Sequence, residues 1–351
     1  MAQRSLREYE AKRDFETTPE PRGAATATGS RRFVIQQHDA TRLHWDLRLE
    51  DDGVLLSWAL PRGLPLTPDR NHLAVHTEDH PIEYLTFEGD IPEGEYGAGR
   101  MFVWDRGEYE PSELTDTKLV VTLRGERTHG RYALFRTRGR DWMIHRMDPP
   151  EDPDHQPAPL DWRPMEAQAG RLPGSGDWWF EVLLEGRRAL VRNLPGEVTI
   201  ISGNGDDLSD RFPEVRRIGR HLGSKEVLLD GVLTSATGHA ETLERRLTGG
   251  GASTIRRLAR DQPATFVAFD LLWRDGYPTI DAPLEQRLEQ LEGLALDGPA
   301  WQGSRAHRGD GEALLSVARS SGLPGLVAKR AGSRYRPGTT SRDWRCVDTS
   351  A

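Results

Sequence analysis

A chain of 351 residues, 36% hydrophobic and 29% charged, is long enough for two domains that each bury a core, which excludes a wholly disordered or fibrous protein. No apolar run approaches the roughly 18 residues that cross a bilayer, and MAQRSLREYEAKRD offers no apolar segment to a secretory signal, so the expected place is the cytoplasm. One cysteine, Cys346, excludes an internal disulfide and Cys-rich zinc motifs, and a net charge of -8 does not advertise general affinity for nucleic acid.

Residues 1–30 join a charged opening to RDFETTPEPRG and the small-residue run AATATGS. Too few large apolar groups are present for a core, which predicts a mobile arm whose notable polar residues are Arg13, Asp14 and Glu20. Next comes FVIQQHDATRLHWDLRLE, Phe33 to Glu50. From Leu43 the residues alternate, with Leu43, Trp45, Leu47 and Leu49 on one face of a strand and His44, Asp46, Arg48 and Glu50 on the other. An ordinary strand of this pattern turns a solvated polar face to water. Here imidazole, carboxylate and guanidinium project to one side at steps of about 7 Å, and His38 lies just upstream across a short polar loop. Two imidazoles and one carboxylate suit a borderline divalent metal, Mn, Fe or Zn, with positions open for water or substrate. Arg48 could then grip a phosphate oxygen.

Asp51-Asp52-Gly53 signals a turn into the partner strand Val54 to Leu60. HLAVHT delivers the chain to Glu78-Asp79-His80-Pro81 and Tyr84. A barrel could bring His80 and Tyr84 back to the first strand; taken singly, they read equally as a structural histidine and an interfacial tyrosine. Gly94, Gly97 and Gly99 precede an extended segment and no helix, so they mark tight turns and not a phosphate cradle. KLVVTL, GRYALFR and DWMIHR continue the strands, giving a mainly β barrel or sandwich over residues 31–148. Arginine-rich stretches, Arg124 to Arg146 and Lys329 to Arg345, could follow a phosphate backbone or be solvated faces. Residues 149–162 are a Pro- and Asp-rich linker. Over 163–351, helices near Pro283 to Leu294 and Gly311 to Ser320 mix with the strand candidates ALVRN, VTIIS, EVLLDGVL and TFVAFDLLW, so the second domain reads as α+β.

HDATRLHWDLRLE, SWALPRG, TEDHP, EGDIPEGEYGAG and VWDRGEYEP, in this order, resemble the 3'-phosphoesterase module of bacterial DNA ligase D, from the RDFETTPEP arm to about Arg146. The resemblance implies a compact β barrel that uses a divalent metal, preferably manganese, to remove 3'-phosphates and terminal ribonucleotides and leave a 3'-hydroxyl. It makes His38, His44 and Asp46 metal ligands and sets Arg48, His80 and Tyr84 around the scissile phosphate. On physical grounds Arg48 and a protonated His80 would stabilise the charge that builds there, with either His80 or water protonating the leaving group. Arg13, Asp14 and Glu20 match arm residues tied to ribonucleotide removal.

The second half resembles the adenylate-forming nucleotidyltransferase domain of the same ligases, through PMEAQAGRLP, WWFEVLLEGRRALVR, SGNGDDLSDRFPEV, FVAFDLLW and GLVAKRAGSRYRPGTTSRDW. The family motif Glu-x-Lys-x-Asp-Gly-x-Arg stands here as Glu181, Leu183, Glu185, Gly186 and Arg188. An alkyl group at Leu183 cannot form a phosphoramide. Gly203 replaces an expected arginine, Val232 and Pro324 replace glutamates, and Cys346 and Asp348 replace lysines. The lysines left in this half, Lys225 and Lys329, lie away from the motif in sequence, and the chain stops before the OB-fold that completes a ligase. The expectation is a metal-dependent 3'-end-processing phosphoesterase of end-joining repair fused to an inactive ligase-like domain whose ATP binding is in doubt. Its partners would be DNA 3' ends on a primer-template or broken duplex, with separate end-binding, polymerase and ligase proteins, in the bacterial cytoplasm or nucleoid and away from membranes. Two alternatives remain: a non-catalytic scaffold that holds DNA ends, and an active ATP-dependent ligase with a substitute nucleophile.

Overall fold

The computed structural model describes residues 5–23, 29–40, 43–149, 154–235, 240–249 and 251–349. The chain divides into two units at Asp154/His155.

Nine strands build the first unit: β1 (Arg32–Asp39), β2 (Leu43–Asp51), β3 (Val54–Leu60), β4 (His72–His76), β5 (Gly89–Ile91), β6 (Gly99–Leu114), β7 (Lys118–Gly125), β8 (His129–Arg138) and β9 (Asp141–Arg146). Eight of them pair in the order β1-β2-β3-β4-β9-β8-β7-β6, and β6 returns to β1, so the sheet closes into an antiparallel barrel, with β5 added on β6. Closure leaves the barrel strands without a free edge, which decides barrel over sandwich. Asp52 and Gly53 both adopt positive φ in the turn from β2 to β3, the backbone that a two-residue hairpin requires. Gly99 also cannot be replaced, because a Cβ there would stand 2.5 Å from the Asp39 carbonyl oxygen.

The two faces of β1 and β2 have different fates. Phe33, Ile35, Trp45, Leu47 and Leu49 point into the barrel against Trp58, Leu134 and Trp142. The opposite face meets a second apolar cluster of Tyr9, Val34, Leu55, Tyr84, Leu85, Ile91 and Met101. The described part of the arm is therefore packed and not mobile. Its short helix α1 (Arg7–Glu10) carries Tyr9, which is fully buried and donates its hydroxyl to Pro21 O at 2.6 Å. Tyr9, with Phe15 packed beside it, the buried Leu6 and several ion pairs substitute for the run of apolar residues that the sequence lacks; most of AATATGS lies outside the described residues. With the arm and the 3-10 helix Ile82–Thr86 lying over it, the polar face of β2 is buried and not solvated: Asp46, Arg48 and Glu50 are only 6%, 2% and 1% exposed.

The second unit contains β10 (Glu166–Ala169), β11 (Trp178–Val182), β12 (Arg187–Leu194), β13 (Glu197–Ser202), β14 (Val227–Ser235) and β15 (Ala264–Arg274), which cover the predicted strands. One sheet runs β13-β12-β14-β15 and continues into short strands. The other places strand Gly325–Arg330 between β11 and strand Thr340–Asp348, which in turn pairs with β10. Met165, Leu190, Leu228, Phe269, Tyr335 and Trp344 form the core that joins the two sheets. Helices Leu284–Glu292 and Gly311–Ser320 fall where the sequence predicts them, the latter capped by Asp310, which accepts from Ala313 N at 2.9 Å. Part of the expected linker belongs to this unit, because Ala158 is buried in its core; residues 150–153 lie outside the described set. Among the described residues no helix is long and apolar enough to cross a membrane.

Candidate functional site

Antiparallel register builds the first cluster. Because residues opposite one another share a face, the pairs His38/His44, Gln36/Asp46 and Val34/Arg48 line up one stripe across β1 and β2. Ligand atoms of His38, His44 and Asp46 all lie within 4.8 Å of one another. His38 Nδ1 is 3.7 Å and His44 Nε2 is 3.6 Å from the Asp46 carboxylate. His38 Nε2 donates to Gly97 O at 2.9 Å, which orients the ring with Nδ1 toward Asp46. Burial opposes the charge on Asp46, yet Arg48, His38 and His44 hold its carboxyl far below the usual carboxylate range. Two imidazole nitrogens and a carboxylate at this spacing fit a divalent cation, which would take them in their deprotonated forms.

Arg48 lies beside Asp46, and its guanidinium is braced from three sides. Nε donates to Gln36 Oε1 at 2.7 Å, Nη1 to Ser57 Oγ at 3.0 Å and Nη2 to Asp46 Oδ2 at 3.0 Å. Gln36 is held in turn by the carbonyls of Tyr84 and Phe87. One N–H on each terminal nitrogen of Arg48 stays available, enough for two contacts to a phosphate. The Tyr84 ring packs 4.7 Å from this guanidinium, and its hydroxyl donates to Glu20 of the arm. Tyr84 therefore acts as a brace for Arg48 and for the arm.

His80 is brought to the same pocket, but not as the expected imidazolium. Nδ1–H donates to Glu78 O at 2.8 Å, and Nε2 faces the Arg13 guanidinium at 3.3 Å. Burial, then Arg48 and Arg13, push its pKa well down, so the ring is neutral near pH 7. Arg13 is the centre of the arm's grip: it reaches Glu20 at 2.7 Å, Glu78 at 3.0 Å and the Tyr9 ring at 3.9 Å. Lys12 adds a second contact to Glu78 at 2.9 Å. Arg13 and Glu20 thus join His80 and Tyr84, whereas Asp14 does not. The Asp14 carboxylate accepts from Glu16 N in an exposed turn.

Part of each arginine-rich stretch is paired with carboxylates. Arg124 pairs with Glu110, Arg131 with Asp148 and Arg140 with Glu8, while Arg146 is buried against the Tyr132 hydroxyl. In the second stretch, Lys329 is buried, and Arg330 and Arg334 pair with Asp343 and Asp281.

In the second unit, Leu183 lines a cavity of about 200 Å³ together with Val182, Leu184, Val232, Phe269 and Trp344. Two cations reach it. Arg188 makes a two-pronged pair with Asp230 at 2.7 and 2.6 Å. Lys329, 1% exposed, donates to Glu181 at 2.8 Å and to Phe269 O at 2.9 Å, with the Phe269 and Trp344 rings each 4.4 Å away. Lys329 is therefore in the pocket of the altered motif, although sequence separates the two; Lys225 is exposed and does not line the cavity. Glu185 and Gly186 are exposed, and a Cβ on Gly186 would strike Leu233 O. Both cations of this cavity are thus engaged by carboxylates of the same domain.

Gln36, Ser57, Glu78 and Lys12 were not singled out from the sequence. Gln36 carries a readable signal, since it precedes His38 by one strand period and so shares its face. Ser57 is found only through the β2–β3 register, which sets it opposite Arg48.

Residues 36–136 match the family model of the DNA Ligase D 3'-phosphoesterase domain, and residues 167–347 match the ATP dependent DNA ligase domain. The chain is 39% identical, over 97% of its length, to the multifunctional non-homologous end joining protein LigD of Mycolicibacterium smegmatis, of which it covers 45%. It is 34% identical, again over 97% of its length, to the corresponding protein of Pseudomonas aeruginosa, of which it covers 46%. The chain thus spans less than half the length of these relatives. Among solved structures, a mycobacterial DNA ligase D complexed with ATP and MES is similar at 29% identity and a TM-score of 0.45, over 54% of this chain and 60% of that one.

Proposed function

The chain belongs to the ATP-dependent DNA ligase domain family and carries a DNA ligase D 3'-phosphoesterase domain ahead of the ligase domain, and we propose that its catalysis resides in that first domain. The reaction is hydrolytic trimming of DNA 3' ends, removing a 3'-phosphate or a terminal ribonucleotide to leave a 3'-hydroxyl for repair by end joining. The observation that carries this reading is convergence: His38, His44 and Asp46 meet beside an Arg48 that keeps donors to spare. A divalent ion held by these three residues, manganese in our reading, would supply Lewis-acid polarisation of a phosphoryl oxygen and a bound water of lowered pKa. Arg48 binds the phosphate oxygens, and Gln36 and Ser57 hold its planar fork so that little motion is needed as charge builds. His80 begins neutral, and an incoming phosphate favours its protonated form at Nε2, the atom that Arg13 now faces. Tyr84, Glu20 and Arg13 fasten the arm over the site, so we assign the arm to seating a terminal ribonucleotide, with Asp14 shaping the turn that carries Glu16 and Thr17.

For the second domain we propose loss of adenylation, supported by Leu183 in the nucleophile slot and by the internal pairing of Arg188 and Lys329. The partners this implies are DNA 3' ends and separate end-binding, polymerase and ligase proteins in the cytoplasm. The test uses the full chain on a primer-template ending in 3'-phosphate, assayed for phosphate release with manganese and after chelation. Release that needs the metal is expected. Unchanged release after exhaustive chelation would overturn the metal mechanism, and no release with any divalent ion would favour the DNA-end scaffold. Incubation with ATP labelled at the α-phosphate should give no covalent adduct, and an adduct would mean that Lys329 or Lys225 serves as a substitute nucleophile.

A further inference from the structure

The turn between β5 and β6 carries an aromatic residue to the rim of the metal-ligand cluster. Gly97 O accepts the His38 Nε2–H that orients this imidazole, so Tyr96 is one peptide from a group that fixes a ligand. The turn is held by Glu95 N to Pro92 O and Ala98 N to Glu95 O, and Thr17 of the arm donates to Glu95 at 2.8 Å. Glycines with positive φ at 94, 97 and 99 allow this path. Buried aromatic residues need no further account, but Tyr96 is 48% exposed. Two cations lie against its ring, Lys12 Nζ at 4.9 Å and the Arg13 guanidinium at 5.6 Å from the centroid. The same Arg13 reaches His80 Nε2 at 3.3 Å. Arg13 therefore links the Tyr96 ring to His80, which lies in contact with Tyr84 beside Arg48. Phe102, also exposed, is a poorer candidate by register. Met101 is opposite His38 and shares its face, whereas Phe102 is opposite Gln37 and faces the other way.

We propose that Tyr96 is a stacking platform for the base of the 3'-terminal nucleotide, the nucleotide whose phosphate sits at Arg48 and His80. Every base has a π face, so such a platform accepts any sequence while fixing the sugar and its 3' substituent relative to the reacting groups. Lys12 and Arg13 hold the ring in place through cation–π contacts and supply positive charge beside the backbone. Tyr96 is thus a positioning residue, and its role rests on the 3'-end reading above.

The experiment compares wild type, Tyr96→Ala and Tyr96→Phe as full chains on two primer-templates ending in 3'-phosphate. One has a normal terminal nucleotide and the other an abasic one. Binding is followed by anisotropy of labelled DNA, and turnover is followed separately at varied DNA concentration with manganese. On the normal end, Tyr96→Ala should weaken binding and raise KM by about tenfold or more, with kcat within a few-fold, and Tyr96→Phe should restore both. On the abasic end, wild type should fall to the level of Tyr96→Ala, and Tyr96→Ala should lose nothing further. Equal loss by Tyr96→Ala on both ends would overturn the proposal, because the ring would then only brace Lys12 and Arg13. No loss on the normal end would overturn it as well. Base-dependent binding in a protein that releases no phosphate would support the platform while removing the phosphatase reading, so the two failures are distinguishable.

Discussion

Both units bury arginine, lysine and carboxylate groups, yet they arrange them differently: in the first, two imidazoles and a carboxylate converge on one point, and in the second, cations and carboxylates pair off. In the first unit, Arg48 is held by Gln36, Ser57 and Asp46, and the Asp46 carboxylate stands 3.7 Å from His38 Nδ1 and 3.6 Å from His44 Nε2. In the second, Arg188 pairs with Asp230, which also accepts from the Tyr335 hydroxyl at 2.6 Å; Lys329 pairs with Glu181; and Arg287 makes a two-pronged pair with Asp270 at 2.7 and 3.0 Å. A cluster of convergent ligand atoms has paid for desolvation and gains from a partner that completes it. The two pockets are therefore told apart by whether imidazole and carboxylate ligand atoms converge on one point.

The largest effect that bears on this contrast is expected at Asp46. Asp46→Ala or His44→Ala should lower 3'-phosphate release by about three orders of magnitude and weaken manganese binding together, because ligand and activation are lost at once. Paired calorimetric titration and single-turnover assays check this, and a folded Asp46→Ala protein with full activity would falsify the assignment. Next in size is Lys329→Met, which leaves Glu181 buried without its partner and should cost about 3–5 kcal/mol of stability in the second unit. Denaturant unfolding measures the cost, while phosphate release should stay at the wild-type rate; Glu181→Gln in the same chain should recover much of it. If Lys329→Met left stability untouched, the view that this pair is structural would fail.

Arg48→Lys comes third. The ammonium keeps the charge but loses the planar fork, so manganese binding should persist while turnover drops by about a hundredfold. Equal losses in metal affinity and rate would instead place Arg48 among the groups that hold the cation. The smallest effect concerns the arm. Burial raises the Glu78 carboxyl, but Lys12 and Arg13 outweigh it and leave its pKa below the ordinary value. A depressed carboxylate pKa contributes stability that is present above the unfolded value of about 4.3 and is lost as pH falls through the folded one. Hydrogen exchange of the amides from Tyr9 to Glu20 should therefore be protected at pH 6 and lose protection below about pH 4. Glu78→Gln should already show the loss at pH 6; identical profiles for the two proteins would remove Glu78 from the arm's attachment.

Much of the first site was legible because a strand has a period of two. Alternation from Leu43 to Glu50 placed His44, Asp46 and Arg48 on one face without any structure, and Asp52-Gly53 located the hairpin that follows. Gln36 lay on the same stripe, but an amide has no acid–base or metal signature, so the pattern gave no reason to select it. In the second unit, the alkyl group at Leu183 and the helices at Leu284–Glu292 and Gly311–Ser320 were readable for the same reason: each depends on local spacing or on a single residue type.

Tertiary structure alone decided what depends on groups distant in the chain. Whether the polar face of β2 meets water turns on Tyr9 docking against Leu55, Tyr84 and Met101, a contact that composition argued against. The neutral state of His80 is set by burial and by Arg13, which lies 67 residues upstream, and no local pattern encodes that approach. Lys329 enters the pocket of Leu183 through a strand that pairs with β11, 148 residues beyond its partner Glu181. Side-chain identity and short-range periodicity fixed which chemistry each segment can offer, because those are properties of one chain segment. Charge state, burial and which donors remain free were decided by the closed barrel and the paired sheets, because they depend on the desolvation and neighbours that only long-range packing supplies.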